Sequence, residues 1–211
     1  MPAPDALLFL SSHCQHCPAV LNSLAELVKQ GVIGRLEVVN LEARPEAAEA
    51  HGIRTVPWVR IGPFELHGLR GREELAEWAG RADRPEGMAD YFHVLLREGQ
   101  LQRVIDAVRQ DPARLADLLP IVANPEASLN VRIGAGAVLE TFAANDALRA
   151  LVPALGELSA AEDARVRADA CHYLALSASP TATPYLRERL NDTHPEVAEI
   201  AAEGLARMTP A

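Results

Sequence analysis

Two of the chain's three cysteines stand close together in Ser11-Ser12-His13-Cys14-Gln15-His16-Cys17-Pro18-Ala19. A C-x-x-C on the first turn of a helix brings both sulfurs to one face, near enough to close a small disulfide ring. The chemistry this suits is thiol–disulfide exchange, the outer sulfur attacking and the inner one resolving. Unpaired backbone N–H groups and the positive end of the dipole at a helix N-terminus favour a thiolate at Cys14. A protonated His16 beside the inner cysteine is expected to lower the Cys14 thiol further, with His13 as the second candidate for that role. The run His13-Cys14-Gln15-His16-Cys17 also contains four metal-ligand side chains. Metal binding is the alternative, but so short a helical run needs a supporting loop to aim a tetrahedral ligand set, and zinc would mask both thiols. No metal and no cofactor are expected.

The elements that must position this stretch can be read in order. Ala6-Leu7-Leu8-Phe9-Leu10 is strand-like and leads straight into it. Leu21, Leu24 and Val28 recur at helical spacing, and counting back from Leu21 places Cys17 on the same buried stripe. The helix is expected from about Gln15 to Gln30, with Pro18 tolerated in its first turn and Gly31 and Gly34 ending it. Arg35 to Asn40 alternates like a strand, completing a right-handed strand-helix-strand unit with parallel strands. Arg44 to Gly52 reads as a short helix, and the run Ile53 to Gly62 that follows contains a strand with Pro57 at its entrance. Pro57 there marks either an edge position or a cis bond, which composition does not decide. A turn at Gly62-Pro63, a strand from Phe64 to Leu66, and a helix from Arg72 to about Ala82 after Gly68 and Gly71 finish the pattern. The order is βαβαββα with a mixed four-stranded sheet.

C-x-x-C at the start of the first helix, Thr55-Val56-Pro57 before the third strand, and Gly68 and Gly71 before the last helix together resemble the thioredoxin-like superfamily in its compact glutaredoxin-type form. The run Cys14 to Val20 followed by Val56-Pro57 is similar to the N-terminal redox domain of the alkyl hydroperoxide reductase flavoprotein family and to archaeal disulfide oxidoreductases. The resemblance covers residues 1–84. It implies Cys14 as nucleophile, Cys17 as resolving thiol and Pro57 as a cis-proline beside them. It also implies that Val56 lends its backbone to an extended substrate peptide, by strand addition. The chain departs from thioredoxins in carrying His13 before the first cysteine and Gln15-His16 between the two. Leu8 stands where many members place a buried acid, which leaves His13, His16 and water as candidates for moving the Cys17 proton. Trp58 is expected in half-buried packing.

Arg84-Pro85-Glu86-Gly87 is the expected boundary, and residues 88–211 read as helix after helix. Helix starts are signalled at Asp111-Pro112, Ser179-Pro180 or Thr183-Pro184, and Asp192 with Pro195. Val131, Ala135 and Leu139 recur as Val166, Ala170 and Leu174 and again as Val197, Ala201 and Leu205. In a second register Leu119-Pro120-Ile121 is echoed by Val152-Pro153-Ala154. Helix pairs at such a period, none able to bury its apolar face alone, build an α-solenoid. Val131-Arg132 and Val166-Arg167, each followed by alanines and a leucine, resemble HEAT-like repeats. That resemblance implies a surface for docking a protein. Cys171, aligned with Gly136 and Ala202, is expected to be an inert packing thiol.

Bulk properties bound the function further. The 211 residues are 49% hydrophobic and 23% charged, with a formal net charge of −9 and no basic patch of the kind nucleic acid requires. The apolar run at the start is too short for a signal peptide or a membrane span, and three cysteines do not make a secreted disulfide framework. The expectation is a cytoplasmic α/β redox domain followed by an all-α HEAT-like solenoid. It would exchange disulfides with a protein partner docked on the repeats and be served by an unidentified reductant. The rival from another class is a redox-sensing adaptor without turnover.

Overall fold

The computed structural model describes residues 2–208; Met1 and residues 209–211, which the expected domain ranges include, lie outside the described residues. The chain divides into two compact units, 1–88 and 89–211. The division falls just inside a helix, one residue past the Arg84–Gly87 turn.

In the first unit β1 (Ala6–Leu10), α1 (Cys17–Lys29), β2 (Leu36–Asn40), α2 (Pro45–Ala50), β3 (Trp58–Ile61), β4 (Phe64–His67) and α3 (Arg72–Arg81) follow in order. The sheet order is β2-β1-β3-β4, with β1 parallel to β2 and antiparallel to β3, and β3 antiparallel to β4. A strand buried on both faces must be apolar throughout, and the run Ala6 to Phe9 meets that demand: each of the four residues is buried. Pairing sorts the side chains by face. Leu8 lies opposite Val59 and Ala6 opposite Ile61 on the face where α1 meets β1 and α3 meets β3. Leu7, Phe9 and Trp58 occupy the other face, with Val39, Leu41, Ala47, Ile53 and Val56 packed against them.

Two expectations shift here. The buried stripe of α1 is Cys17, Val20, Leu24 and Leu27, not the set with Leu21 and Val28, which are only half-buried. The two sets share Cys17 and Leu24, and α1 is turned so that its three- and four-residue steps alternate the other way over the sheet. Trp58 is buried, at 3% exposure, rather than half-buried, because its ring meets Phe9 edge-on at 5.4 Å. β3 starts at Trp58, directly after Pro57, as expected of a proline at the strand entrance.

The helices α4 (Gly87–Arg97) and α5 (Leu101–Gln110) follow, then a 3-10 segment (Pro112–Leu118), α6 (Leu119–Val122), α7 (Leu129–Thr141), α8 (Asp146–Ala150), α9 (Val152–Leu158) and α10 (Ala164–Leu176). A 3-10 turn (Pro180–Ala182), α11 (Thr183–Arg189) and α12 (Pro195–Met208) complete the described residues. Asp111-Pro112 and Ser179-Pro180 thus begin 3-10 segments rather than α-helices. In the first, the Asp111 carboxylate accepts the Ala113 N–H. Three helix pairs repeat, α6/α7, α9/α10 and α11/α12, each opened by a proline: Pro120, Pro153 and Pro184. Val131, Ala135, Leu139, Val166, Ala170, Leu174, Val197 and Ala201 are all buried. Leu205 is only half-buried, since no further helix pair covers α12 among the described residues.

Arginines of the Val-Arg pairs reach forward along the stack. Arg132 donates to Asp169 at 2.8 Å, and Arg167 grips Asp192 with two bonds of 2.8 and 2.7 Å. The second pair is well covered, its side chains 11% and 4% exposed, and Arg167 also donates to the carbonyls of Ala161 and Glu162. The Arg167 bonds hold the Asp192 carboxyl below the usual carboxylate range. A carboxyl whose folded pKa is depressed contributes stability that is complete above its unfolded value and fades as pH falls through the folded one. Asp192→Asn should therefore cost about 1.5–3 kcal/mol of unfolding free energy at neutral pH. The gap from wild type should close at strongly acid pH, once the native carboxyl is protonated too. Urea unfolding at both pH values checks this, and a loss under about 0.5 kcal/mol at neutral pH would mean an ordinary surface bridge.

Candidate functional site

The exit of β1 is where the cysteines lie. Cys17 is the first residue of α1, with His16 at the N-cap and Pro18 in the first turn, where a missing N–H costs no hydrogen bond. Cys14 and Cys17 are joined in a disulfide, their Cα atoms 5.4 Å apart. The Cys17 N–H also donates to Cys14 Sγ at 3.1 Å. Burial separates the two sulfur-bearing residues. Cys17 is 2% exposed on the inner stripe of α1, while Cys14 is half-buried and His13, Gln15 and His16 around it are exposed. Of the two residues, Cys14 is thus the more accessible. The His16 side chain makes no capping bond, which leaves its ring to solvent.

Antiparallel pairing brings the second group of candidates to the same end of the sheet. Phe9 lies opposite Trp58, so the residues leaving β1 run past those entering β3. Val56 and Pro57 stand there, and the bond between them is cis. Pro57 is buried, Val56 half-buried, and the Pro57 carbonyl accepts the Gly68 N–H at 2.9 Å. Gly68 takes a φ of +78°, a left-handed conformation that a side chain would oppose. Among the described residues neither backbone group of Val56 pairs with another backbone group.

Sequence reasoning missed a third group, at the exit of β2. Asn40 donates its side-chain amide to Ser12 Oγ at 3.2 Å, and Glu42 accepts the Ser12 N–H at 3.2 Å. Glu42 is itself held by its own N–H, which donates to Asn40 Oδ1 at 2.9 Å. A hydrogen bond from the Ser12 side chain keeps the Glu42 carboxyl below the usual range, with the His13 charge and the Ser12 N–H adding in the same direction. The only signal for this group in the sequence is an asparagine ending an alternating strand two residues before an acid. A cavity of about 420 Å³ also opens beside β2 and α2, lined by Leu7, Phe9, Val39, Asn40, Arg44 and His51 among others. The side chains of His13, Cys14, His16 and Cys17 form no metal-holding group, and no cluster of three or more His, Cys, Asp or Glu does so among the described residues.

Residues 115–207 match the HEAT repeats family, which covers the three helix pairs and leaves α4 and α5 outside. The helical unit is thus HEAT-like over that span. No curated protein matches the chain in sequence. Among the described residues no helix is long and apolar enough to cross a membrane.

Cys171 lies inside the matched span, on α10, fully buried. Its neighbours in the alignment differ from expectation. Gly136 is buried where a Cβ would come within 2.9 Å of the Tyr173 hydroxyl, whereas Ala202 on α12 is exposed. Burial pushes the Cys171 thiol up to about 11, so it carries almost no thiolate at neutral pH. With excess reductant removed and an alkylating agent added at pH 8, Cys171 should stay unmodified in the folded protein and react on addition of guanidinium. Peptide mapping reads the result, and modification of Cys171 in the native state would contradict its burial.

Proposed function

We propose that the protein is a thiol–disulfide oxidoreductase of the thioredoxin-like kind, acting on a protein partner that the HEAT-like repeats hold. The observation that carries this reading is the cysteine pair itself: a closed disulfide at the head of α1, with the inner cysteine covered, the outer one reachable, and the Cys17 N–H aimed at Cys14 Sγ. An N–H donor at that place lowers the energy of a thiolate, the form that attacks. The βαβ unit followed by an antiparallel hairpin, and Val56-Pro57 at the same end of the sheet, support the thioredoxin-like assignment.

In the reducing direction the Cys14 thiolate attacks one sulfur of the partner's disulfide. A Cys14–partner bond forms, the partner's own S–S bond breaks, and its departing thiolate takes up a proton. Cys17 gives up its proton to water or a neighbouring imidazole, His13 or His16, and its thiolate attacks Cys14 Sγ. The second partner thiolate leaves, the Cys14–Cys17 disulfide closes, and two electrons have passed to the partner. A dithiol donor then reverses both exchanges to restore the reduced pair. In the oxidising direction a partner dithiol is that donor. The unpaired backbone of Val56 is suited to receive an extended segment of the partner through main-chain hydrogen bonds. A reducing compartment such as the cytoplasm is the setting in which such a pair turns over.

Cys17→Ser should trap the partner covalently on Cys14, while Cys14→Ser should trap nothing and lower insulin reduction by dithiothreitol to background. Mass spectrometry of non-reduced complexes and the insulin turbidity assay read the two effects. Insulin reduction no faster with wild type than without it, together with no mixed disulfide in the Cys17→Ser variant, would leave a redox-sensing adaptor in place of an enzyme.

A further inference from the structure

Once the disulfide opens, the loop from Ser11 to His16 has little to hold it. Ser12, His13, Gln15 and His16 are exposed, Ser11 and Cys14 are half-buried, and none of the six is in the core. A loop without a buried side chain is kept in place by hydrogen bonds or not at all. Within the loop, the Cys14 N–H donates to the Ser11 carbonyl at 3.3 Å, which shapes the turn but does not tie it to the fold. Among the described residues the side-chain ties from this loop to the rest of the unit are the Cys17 N–H bond to Cys14 Sγ at its α1 end and those of Ser12, to Asn40 and Glu42.

The acceptors are themselves well placed. Asn40 is the last residue of β2 and lies opposite Leu10, the last residue of β1, in the parallel register. The Leu41 N–H donates to the Leu10 carbonyl at 2.9 Å, so the two strand exits are joined by backbone immediately before the side-chain contacts begin. The Asn40 carbonyl accepts from the N–H groups of Ala43 and Arg44 at 3.2 and 3.0 Å, closing the turn that carries Glu42. Glu42 is thus presented to the loop from a turn anchored at both ends.

Resting on the redox reading above, we propose that Glu42, supported by Asn40, is a positioning residue of the cysteine pair: it holds the Ser11–Cys14 turn through Ser12, and so keeps Cys14 Sγ where the Cys17 N–H meets it in the reduced protein. The Glu42 carboxyl stays ionised across the neutral range, so the acceptor is present whenever the thiol chemistry runs. Two opposite effects follow from removing it. Loss of the anchor lets Cys14 leave the N–H that favours its thiolate, which raises the thiol pKa. Loss of a nearby negative charge lowers it. Glutamine keeps an acceptor oxygen and drops the charge, whereas alanine drops both, so the pair of variants separates position from charge.

The test is the pH profile of Cys14 alkylation by iodoacetamide in the reduced full-length protein, in a Cys17→Ser, Cys171→Ser background, for Glu42→Ala, Glu42→Gln and Asn40→Ala. Glu42 is exposed, and circular dichroism of each variant confirms that the fold is retained. The expected result is a midpoint moved upward in Glu42→Ala, with the rate at neutral pH falling about three- to tenfold. Asn40→Ala should shift the same way, and Glu42→Gln should stay at or below the midpoint of the unsubstituted background. An unchanged midpoint in Glu42→Ala, or a downward shift common to Glu42→Ala and Glu42→Gln, overturns the proposal. Insulin reduction by wild type decides the underlying reading separately: turnover with an unmoved Glu42→Ala profile rejects the positioning role alone.

Discussion

The antiparallel pairing of β1 with β3 is the constraint on which the first unit depends. Phe9 against Trp58 and Leu8 against Val59 fix its register. A slip of one residue would turn Phe9 and Trp58 toward the wrong layer and empty the cluster they form with Leu7. The edge-on contact of the two rings adds to the burial of each, on a scale where one large apolar side chain is worth about 1.5–3 kcal/mol. Because the strands run in opposite directions, that register also decides what meets at one end of the sheet. The cysteine loop leaves β1 there, Val56 and Pro57 enter β3 there, and the parallel β2 delivers Asn40 and Glu42 to the same place. Three separate parts of the sequence are gathered by one pattern of strand pairing.

The second unit is built on a different logic. The first two helix pairs bury a whole Val-Ala-Leu ridge and the third its valine and alanine, none with the means of covering it alone, so stability accumulates between neighbours rather than within one core. The forward-reaching arginines add a directional tie across the pairs, over 37 residues for Arg132 to Asp169 and 25 for Arg167 to Asp192. Tight approaches complete the stack. A Cβ at Gly204 would come within 2.8 Å of the Ala175 side chain, so the glycine is what lets α12 lie close on α10.

Much of this was legible in the sequence where a local rule was strong. Five apolar residues in a row gave β1 its limits, a C-x-x-C followed by proline marked the head of α1, and the Val-Ala-Leu ridges at four-residue steps gave the long repeat helices. The misses come from interactions that no local pattern carries. The rotation of α1 that chose Val20 and Leu27 over Leu21 and Val28 depends on the sheet beneath it. The burial of Trp58 depends on Phe9 across the strand pair. Pro120 and Pro153 were matched from the sequence as a repeat; Thr183-Pro184 was read as one of two alternative helix starts and does begin α11, but with threonine in place of an aliphatic residue it was not joined to that repeat. Ala144 and Ala178 take left-handed backbone angles at the ends of α7 and α10, φ 55° and 49°, at positions where sequence reasoning looks for glycine. The hold of Asn40 and Glu42 on Ser12 spans about thirty residues and follows only from the parallel register.

The most direct measurement on the central claim is a redox titration of the folded protein in dithiothreitol buffers of stepped ratio, with thiols blocked at equilibrium and the Cys14 and Cys17 peptides quantified. The expected result is one transition with two-electron slope, in which both peptides change together while Cys171 stays constant. Cys14 and Cys17 remaining as free thiols across the series, or reporting separate transitions through pairing with other cysteines, would contradict it.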